Sequence, residues 1–139
     1  MEWTAYTDDT TIANDAWLWR RIPPLHFYFD ENLGRARPSK AAFEDDDDGH
    51  PMSVVLADLV TAAGRGPADV LQSHDGFAIA RITAGLARDK KQGMQRDPRP
   101  EEPAHALVFG NKTDSVRRAF AKSCEWVVPP LVNTLNEPS

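Results

Sequence analysis

Short apolar blocks, each closed by a proline, a glycine or a run of charge, set the rhythm of this chain. Trp17-Leu18-Trp19-Arg20-Arg21-Ile22 is aromatic and apolar and stops at Pro23-Pro24, which predicts a strand with proline confined to its end. His26-Phe27-Tyr28-Phe29-Asp30 has the same chemistry, and its alternation places His26, Tyr28 and Asp30 on one face, Phe27 and Phe29 on the other. Gly34 marks a turn, and Pro38 to Phe43 reads as a single helical turn. Leu56, Leu59, Val60 and Ala63 recur at helical spacing, so a helix is expected there, with Ser53 as N-cap and Gly64 just past its end. Gly66 to Leu71 reads as a further short helix with Pro67 at its first position.

Phe77 to Lys91 admits two patterns. One is a helix capped by Asp75 and ended by Gly93; the other is a strand from Phe77 to Ile82 followed by a helical turn. The second is preferred, because Gly76 opens the apolar run and Gly85 breaks a long helix. Pro98, Pro100 and Pro103 exclude regular structure around them. Ala104 to Phe109, closed by Gly110, reads as a buried strand. Val116, Ala119, Phe120, Cys124 and Val127 form an i, i+3, i+4 stripe with Arg117, Arg118 and Lys122 off it, and Thr113 is placed to cap this last helix.

Residues 1–14 are polar and without period and read as a flexible N-terminal arm, with Trp3 and Tyr6 as its anchors. Residues 130–139 read as a C-terminal tail. Between them, residues 15–129 are expected to form a single α+β domain, with a small mixed or antiparallel sheet and two to three helices. A chain of 139 residues is of ordinary single-domain length.

Composition narrows the setting. The one cysteine, Cys124, excludes an intramolecular disulfide and fits a reducing compartment. The first residues have neither the basic nor the apolar character of a signal peptide, and no run approaches the roughly 18 apolar residues of a membrane span. A soluble, cytoplasmic protein without membrane association is expected. The net charge of −5 works against nucleic-acid binding. Charge is unevenly spread, however: residues 44 to 48 are all acidic, whereas Arg81, Arg88, Lys90, Lys91, Arg96 and Arg99 give the middle a basic bias.

The acidic run matches no calcium loop, which spaces its carboxylates at alternate positions, and reads as a solvated loop. Asp48 and His50 are the weak metal candidates, and no cofactor is expected. His26 and Asp30 share a strand face, the pairing that orients a general base, but positions i and i+4 on a strand lie about 13 Å apart. His74-Asp75 resembles the adjacent pair of the HD phosphohydrolases, yet that family's upstream His and downstream Asp have no counterpart here; helix capping by Asp75 is the simpler reading. His105 follows an acidic, proline-rich loop, where Glu101 and Glu102 are near enough in sequence to accept its proton; a His satisfied by a backbone carbonyl is the structural alternative. His105, His26 and Asp30 are therefore the catalytic candidates. Trp19, Arg21, Tyr28, Arg35 and Arg37 are the binding candidates, an aromatic and basic set suited to a peptide or to bases. Cys124 lies on the apolar stripe and reads as packing rather than as a nucleophile.

Arg20-Arg21-Ile22, Arg37-Pro38-Ser39, Ser53-Val54 and Pro103-Ala104-His105-Ala106 with Val108 and Gly110 resemble a group of small bacterial proteins of unestablished activity, over about residues 17 to 128. The resemblance implies no catalytic residue. Three functions follow in order of preference: a non-enzymatic interaction or accessory module of a bacterial multi-protein system, with a protein partner; a small, metal-assisted hydrolase of a phosphodiester or nucleotide; and a nucleic-acid-binding module.

Overall fold

The computed structural model describes residues 5–46 and 49–130. Trp3, Asp48 and residues 131–139 of the expected tail lie outside the described residues. The fold is α+β. A six-stranded antiparallel sheet runs in the order β6-β7-β4-β1-β5-β8, from β1 (Trp17–Ile22), β4 (Met52–Leu56), β5 (Ala78–Thr83), β6 (Gly93–Arg96), β7 (His105–Phe109) and β8 (Glu125–Val128). A separate hairpin pairs β2 (Phe27–Asp30) with β3 (Arg35–Pro38). The helices are α1 (Ala57–Ala62), α2 (Pro67–Val70), α3 (Ala84–Asp89) and α4 (Asp114–Ser123), with 3-10 turns at Pro24–His26 and Lys40–Phe43. No helix among the described residues is long and apolar enough to cross a membrane.

Both faces of the sheet are covered, which is why its central strands are apolar on both sides. One core gathers Leu18, Ile22, Met52, Val54, Ala80, Ile82, Met94, Val108 and Phe120 beneath α3, α4 and the hairpin. The ring of Phe43 meets Phe120 edge-on at 5.9 Å and holds the Lys40–Phe43 turn to α4. The opposite core gathers Trp19, Val55, Ile79 and Ala104 beneath Val60 of α1 and Val70 of α2. β1 thus divides its residues by parity, Leu18, Arg20 and Ile22 facing the first core and Trp17, Trp19 and Arg21 the second.

The strand at residues 17–22, the helix at Pro67, the strand-then-helix order across 77–91, the strand at 105–109 and the Thr113-capped helix are all present. Three expectations need correction. The helix assigned from Ser53 begins only at Ala57: Met52–Leu56 pairs with both β1 and β7, and its apolar residues fill the two cores alternately. The C-terminal helix stops at Ser123; Trp126 to Val128 are strand, paired with β5. Asp75 caps no helix, because the segment after it is β5; the capping is done by Thr83, whose hydroxyl accepts from Leu86 N at 3.1 Å.

The segment assigned to the arm is fastened along the sheet edge. Asp9 N donates to Met94 O at 2.7 Å, and Met94 N donates to Asp8 Oδ1 at 2.9 Å. Ile12 is buried in the first core. Gly85 N donates to Asn14 O at 2.7 Å, and a Cβ at Gly85 would stand 3.0 Å from that oxygen, so the close approach depends on glycine.

Candidate functional site

The described part of the acidic run, Glu44 to Asp46, is tied back to the protein. Glu44 pairs with Arg117 at 2.7 Å, and Asp45 with Lys112 at 2.7 Å. Asp46 accepts from Ser53 Oγ at 2.9 Å and lies 3.9 Å from Arg20. Lys112 is almost fully buried and also donates to Val108 O, which ties the loop to β7; burial holds its pKa below the usual lysine value against the pull of Asp45. Arg20 reaches across from β1, donating to Ala42 O at 2.9 Å and to Ser53 O at 2.8 Å. Its pKa is lowered by burial, with Asp46 and Asp45 opposing. These carboxylates act as loop anchors. Among the described residues, no three His, Cys, Asp or Glu side chains converge on a point that would hold a metal ion.

A second ionic cluster lies on the other face. The Glu102 carboxylate, 2% exposed, takes a two-pronged contact from Arg65 at 2.6 and 2.9 Å, the Ala104 N–H at 3.2 Å and Arg21 at 3.5 Å. The hydrogen bonds from Arg65 outweigh burial and hold its pKa below the usual carboxylate value. Arg21, a binding candidate, is therefore structural: it also donates to Val70 O at 2.8 Å and fixes α2.

The backbone N–H of His105 donates to Glu102 O at 3.0 Å, but among the described residues its ring pairs with neither the Glu101 nor the Glu102 carboxylate. Its Nδ1 lies 3.1 Å from Asp97 O and 3.0 Å from Asp97 Oδ2, an arrangement that places the proton on Nδ1 and leaves Nε2 a bare acceptor. Both the carbonyl contact and a carboxylate contact weighed from the sequence are thus made, by Asp97. The residue is 4% exposed, and Nε2 has no protein partner among the described residues. Burial, then Arg99, lowers its pKa from 6.5, and Asp97 opposes. His105 lines a cavity of about 40 Å³ together with Trp19, Arg20, Arg21, Ser53, Val54 and Val55, where β1 and β4, paired only at Leu18↔Leu56 and Trp19↔Val55, part company. An Asp–His dyad in this tautomer is the unit of a general base. The space beside it has the volume of about one water molecule, too small for a substrate.

The remaining candidates are dispersed. Asp30 accepts from Arg37 at 3.2 Å and from the N–H groups of Asn32 and Leu33; these bonds overcome burial and lower its pKa. His26 ends the 3-10 turn before β2, and its Nδ1 is buried with no hydrogen-bond partner among the described residues, Asp30 included. His74 sits in the loop before β5, its Nδ1 3.0 Å from Gln72 O and its ring against Phe77. His50 lies in the loop before β4. Trp19 is buried in the second core, and Trp17 carries Arg81 3.8 Å above its ring. Cys124 closes α4, half-buried, with burial raising its thiol to about 11.

What the sequence did bring together is Tyr28 and Arg37. They are a cross-strand pair on the β2–β3 hairpin and line a groove of about 370 Å³ between that hairpin and α4. Pro38, Ser39 and Lys40 continue the hairpin wall, and Arg118, Ala121 and Lys122 form the other. Arg35, two residues from Arg37 on the same face of β3, extends the basic edge. Lys40, Arg118 and Lys122 were not singled out as binding candidates from the sequence; the signal for Arg118 and Lys122 was their place off the apolar stripe of α4, and Lys40, in the 3-10 turn, had none. No protein-family model matches this chain, and neither the curated proteins nor the solved structures it was compared with give a match.

Proposed function

We propose that this chain is a non-enzymatic interaction module, an accessory component of a bacterial multi-protein system working in the cytoplasm, which docks a partner protein on its β2–β3 hairpin. The observation that carries this reading is where the large apolar side chains are exposed. Leu25 is 92% exposed, Leu33 50%, Tyr28 46% and Phe29 36%, all within nine residues on the hairpin and its lead-in turn. The hairpin is firmly mounted: Phe27 meets Trp126 edge-on, and the Trp126 indole N–H donates to Ala36 O at 3.0 Å. A rigid ribbon that presents apolar side chains beside basic ones has the make-up of a docking surface. The small space beside His105 and the structural use of Arg21, Glu102 and Glu44 to Asp46 support the same reading against a hydrolase.

The test is a quantitative capture from native cells with the intact chain, a Leu25→Ser/Leu33→Ser variant and a Leu59→Ser control whose change lies on α1. Loss of one stoichiometric partner in the hairpin variant alone is the expected result. Equal capture by all three proteins, each shown to be folded, overturns the proposal.

A further inference from the structure

We infer that the groove between the hairpin and α4 receives an acidic segment of the partner protein. This rests on the interaction reading above and specifies the partner's chemistry. Four cations line the groove, Arg37 and Lys40 on one wall and Arg118 and Lys122 on the other. Two carboxylates answer them: Asp30 pairs with Arg37, and Asp114 pairs with Lys40 at 2.5 Å and with Arg118 at 3.0 Å. Lys122 and Arg35 have no carboxylate partner among the described residues. On a chain of net charge −5 this is a local excess of positive charge, directed at an open groove of about 370 Å³. Such an excess draws an anionic partner into register.

The geometry favours a peptide over a nucleic acid. Arg118 and Lys122 are one helical turn apart, with Cβ atoms about 6 Å from each other. That separation matches carboxylates on alternate residues of an extended segment, which lie about 6.6 Å apart along the strand. Single-stranded nucleic acid binds by stacking successive bases on aromatic rings. Here, among the described residues, Tyr28 is the one aromatic ring that lines the groove, and Trp17 and Trp19 belong to the core on the other side of the sheet. The exposed Leu25, Phe29 and Leu33, on the same hairpin and its lead-in turn, suit the apolar residues that flank an acidic stretch in a protein.

The experiment measures fluorescence anisotropy of a labelled octaglutamate peptide, with octaglutamine and an eight-nucleotide oligo-dT as parallel probes, at low and at moderate salt. The proteins are the intact chain, Arg118→Glu/Lys122→Glu, and Lys90→Glu, which reverses an exposed charge at the end of α3. Octaglutamate should bind at low salt and weaken as salt rises. The groove variant should lose about tenfold or more in affinity, and Lys90→Glu should match the intact chain. Tighter, groove-dependent binding of oligo-dT overturns the assignment, as does octaglutamate binding that ignores the groove charges or that is absent at low salt. Failure here with success in the capture experiment leaves docking on the hairpin and removes the acidic segment; failure in capture alone removes the docking role and leaves the anion groove.

Discussion

The buried carboxylate of Glu102 gives the sharpest quantitative test of the fold. Replacing it with leucine keeps the bulk but removes the acceptor for two Arg65 hydrogen bonds, the partner of Arg21 and the acceptor for the buried Ala104 N–H. Breaking a buried ion pair by removing one member costs about 3–5 kcal/mol. The Arg65 and Arg21 side chains keep 25% and 23% of their surface, so water recovers part of that loss and the low end, about 3 kcal/mol, applies. For a chain of this length that is a fall of about 10 °C in Tm. Glu102→Gln preserves the acceptor for Ala104 and should cost about half as much. The pH dependence follows from the same contacts. With a native pKa held below 4.5, the carboxylate stabilises the fold above 4.5 and loses that contribution as pH falls through the native value. Urea titrations followed by circular dichroism, at neutral and acid pH, should therefore show the gap between Glu102→Gln and the parent narrowing on acidification. A leucine variant within about 0.5 kcal/mol of the parent, or a gap that stays constant into acid, would refute the reasoning.

His105 makes the complementary prediction. Its native pKa lies below 6.5, so the unfolded chain takes up a proton near 6.5 that the native chain refuses; stability is full above 6.5 and falls with pH until the native pKa is passed. His105→Gln should have a flatter stability profile on the acid side of 6.5, and an unchanged slope speaks against it. A methyl group at Gly93 would stand 2.4 Å from Phe109 Cζ, so Gly93→Ala should cost about 1–3 kcal/mol and much less in a Phe109→Val background; an unaltered Tm contradicts this. With its thiol raised from 9.0 to about 11, Cys124 carries about 100-fold less thiolate near neutral pH than an unperturbed cysteine. Iodoacetamide should modify the native chain at least that much more slowly than the urea-unfolded one, and similar rates in the two states would remove the argument.

Elements whose pattern arises from their own residues were legible. β1 and β7 show as local apolar runs and α4 as a local stripe, and the strand-then-helix order of β5 and α3 was legible, although Gly85 lies within α3 rather than before it. Elements defined by distant partners were not. β6 is four residues, Gly-Met-Gln-Arg, held between β7 and residues 7–9, and no alternation marks it. β4 is apolar on both faces, so its last residue merged with the stripe of α1, and Val127 of β8 happened to continue the stripe of α4. The site was legible by the same measure. Tyr28, Arg35 and Arg37 adjoin in sequence and in space, whereas Arg118 and Lys122 join them across about eighty residues. Asp97, not the adjacent Glu102, reached His105 because Pro98, Pro100 and Pro103 fold the intervening loop back upon itself. The acidic run misled because its counter-charges, Arg20, Lys112 and Arg117, are all remote in the chain.

The seal on β6 bears on how the margin of the sheet is closed. An outer strand with free N–H and C=O groups is a template for another chain, and here both backbone groups of Met94 that point outward are occupied by Asp8 and Asp9. Arg88 and Arg96 clamp those same two aspartates at 3.0 Å each. Resistance to fibrous self-assembly at this margin is thus lodged in a few residues near the beginning of the chain. A protease that cut after Thr11 would release the segment that carries both aspartates from its covalent tie and bare the outward backbone groups of Met94.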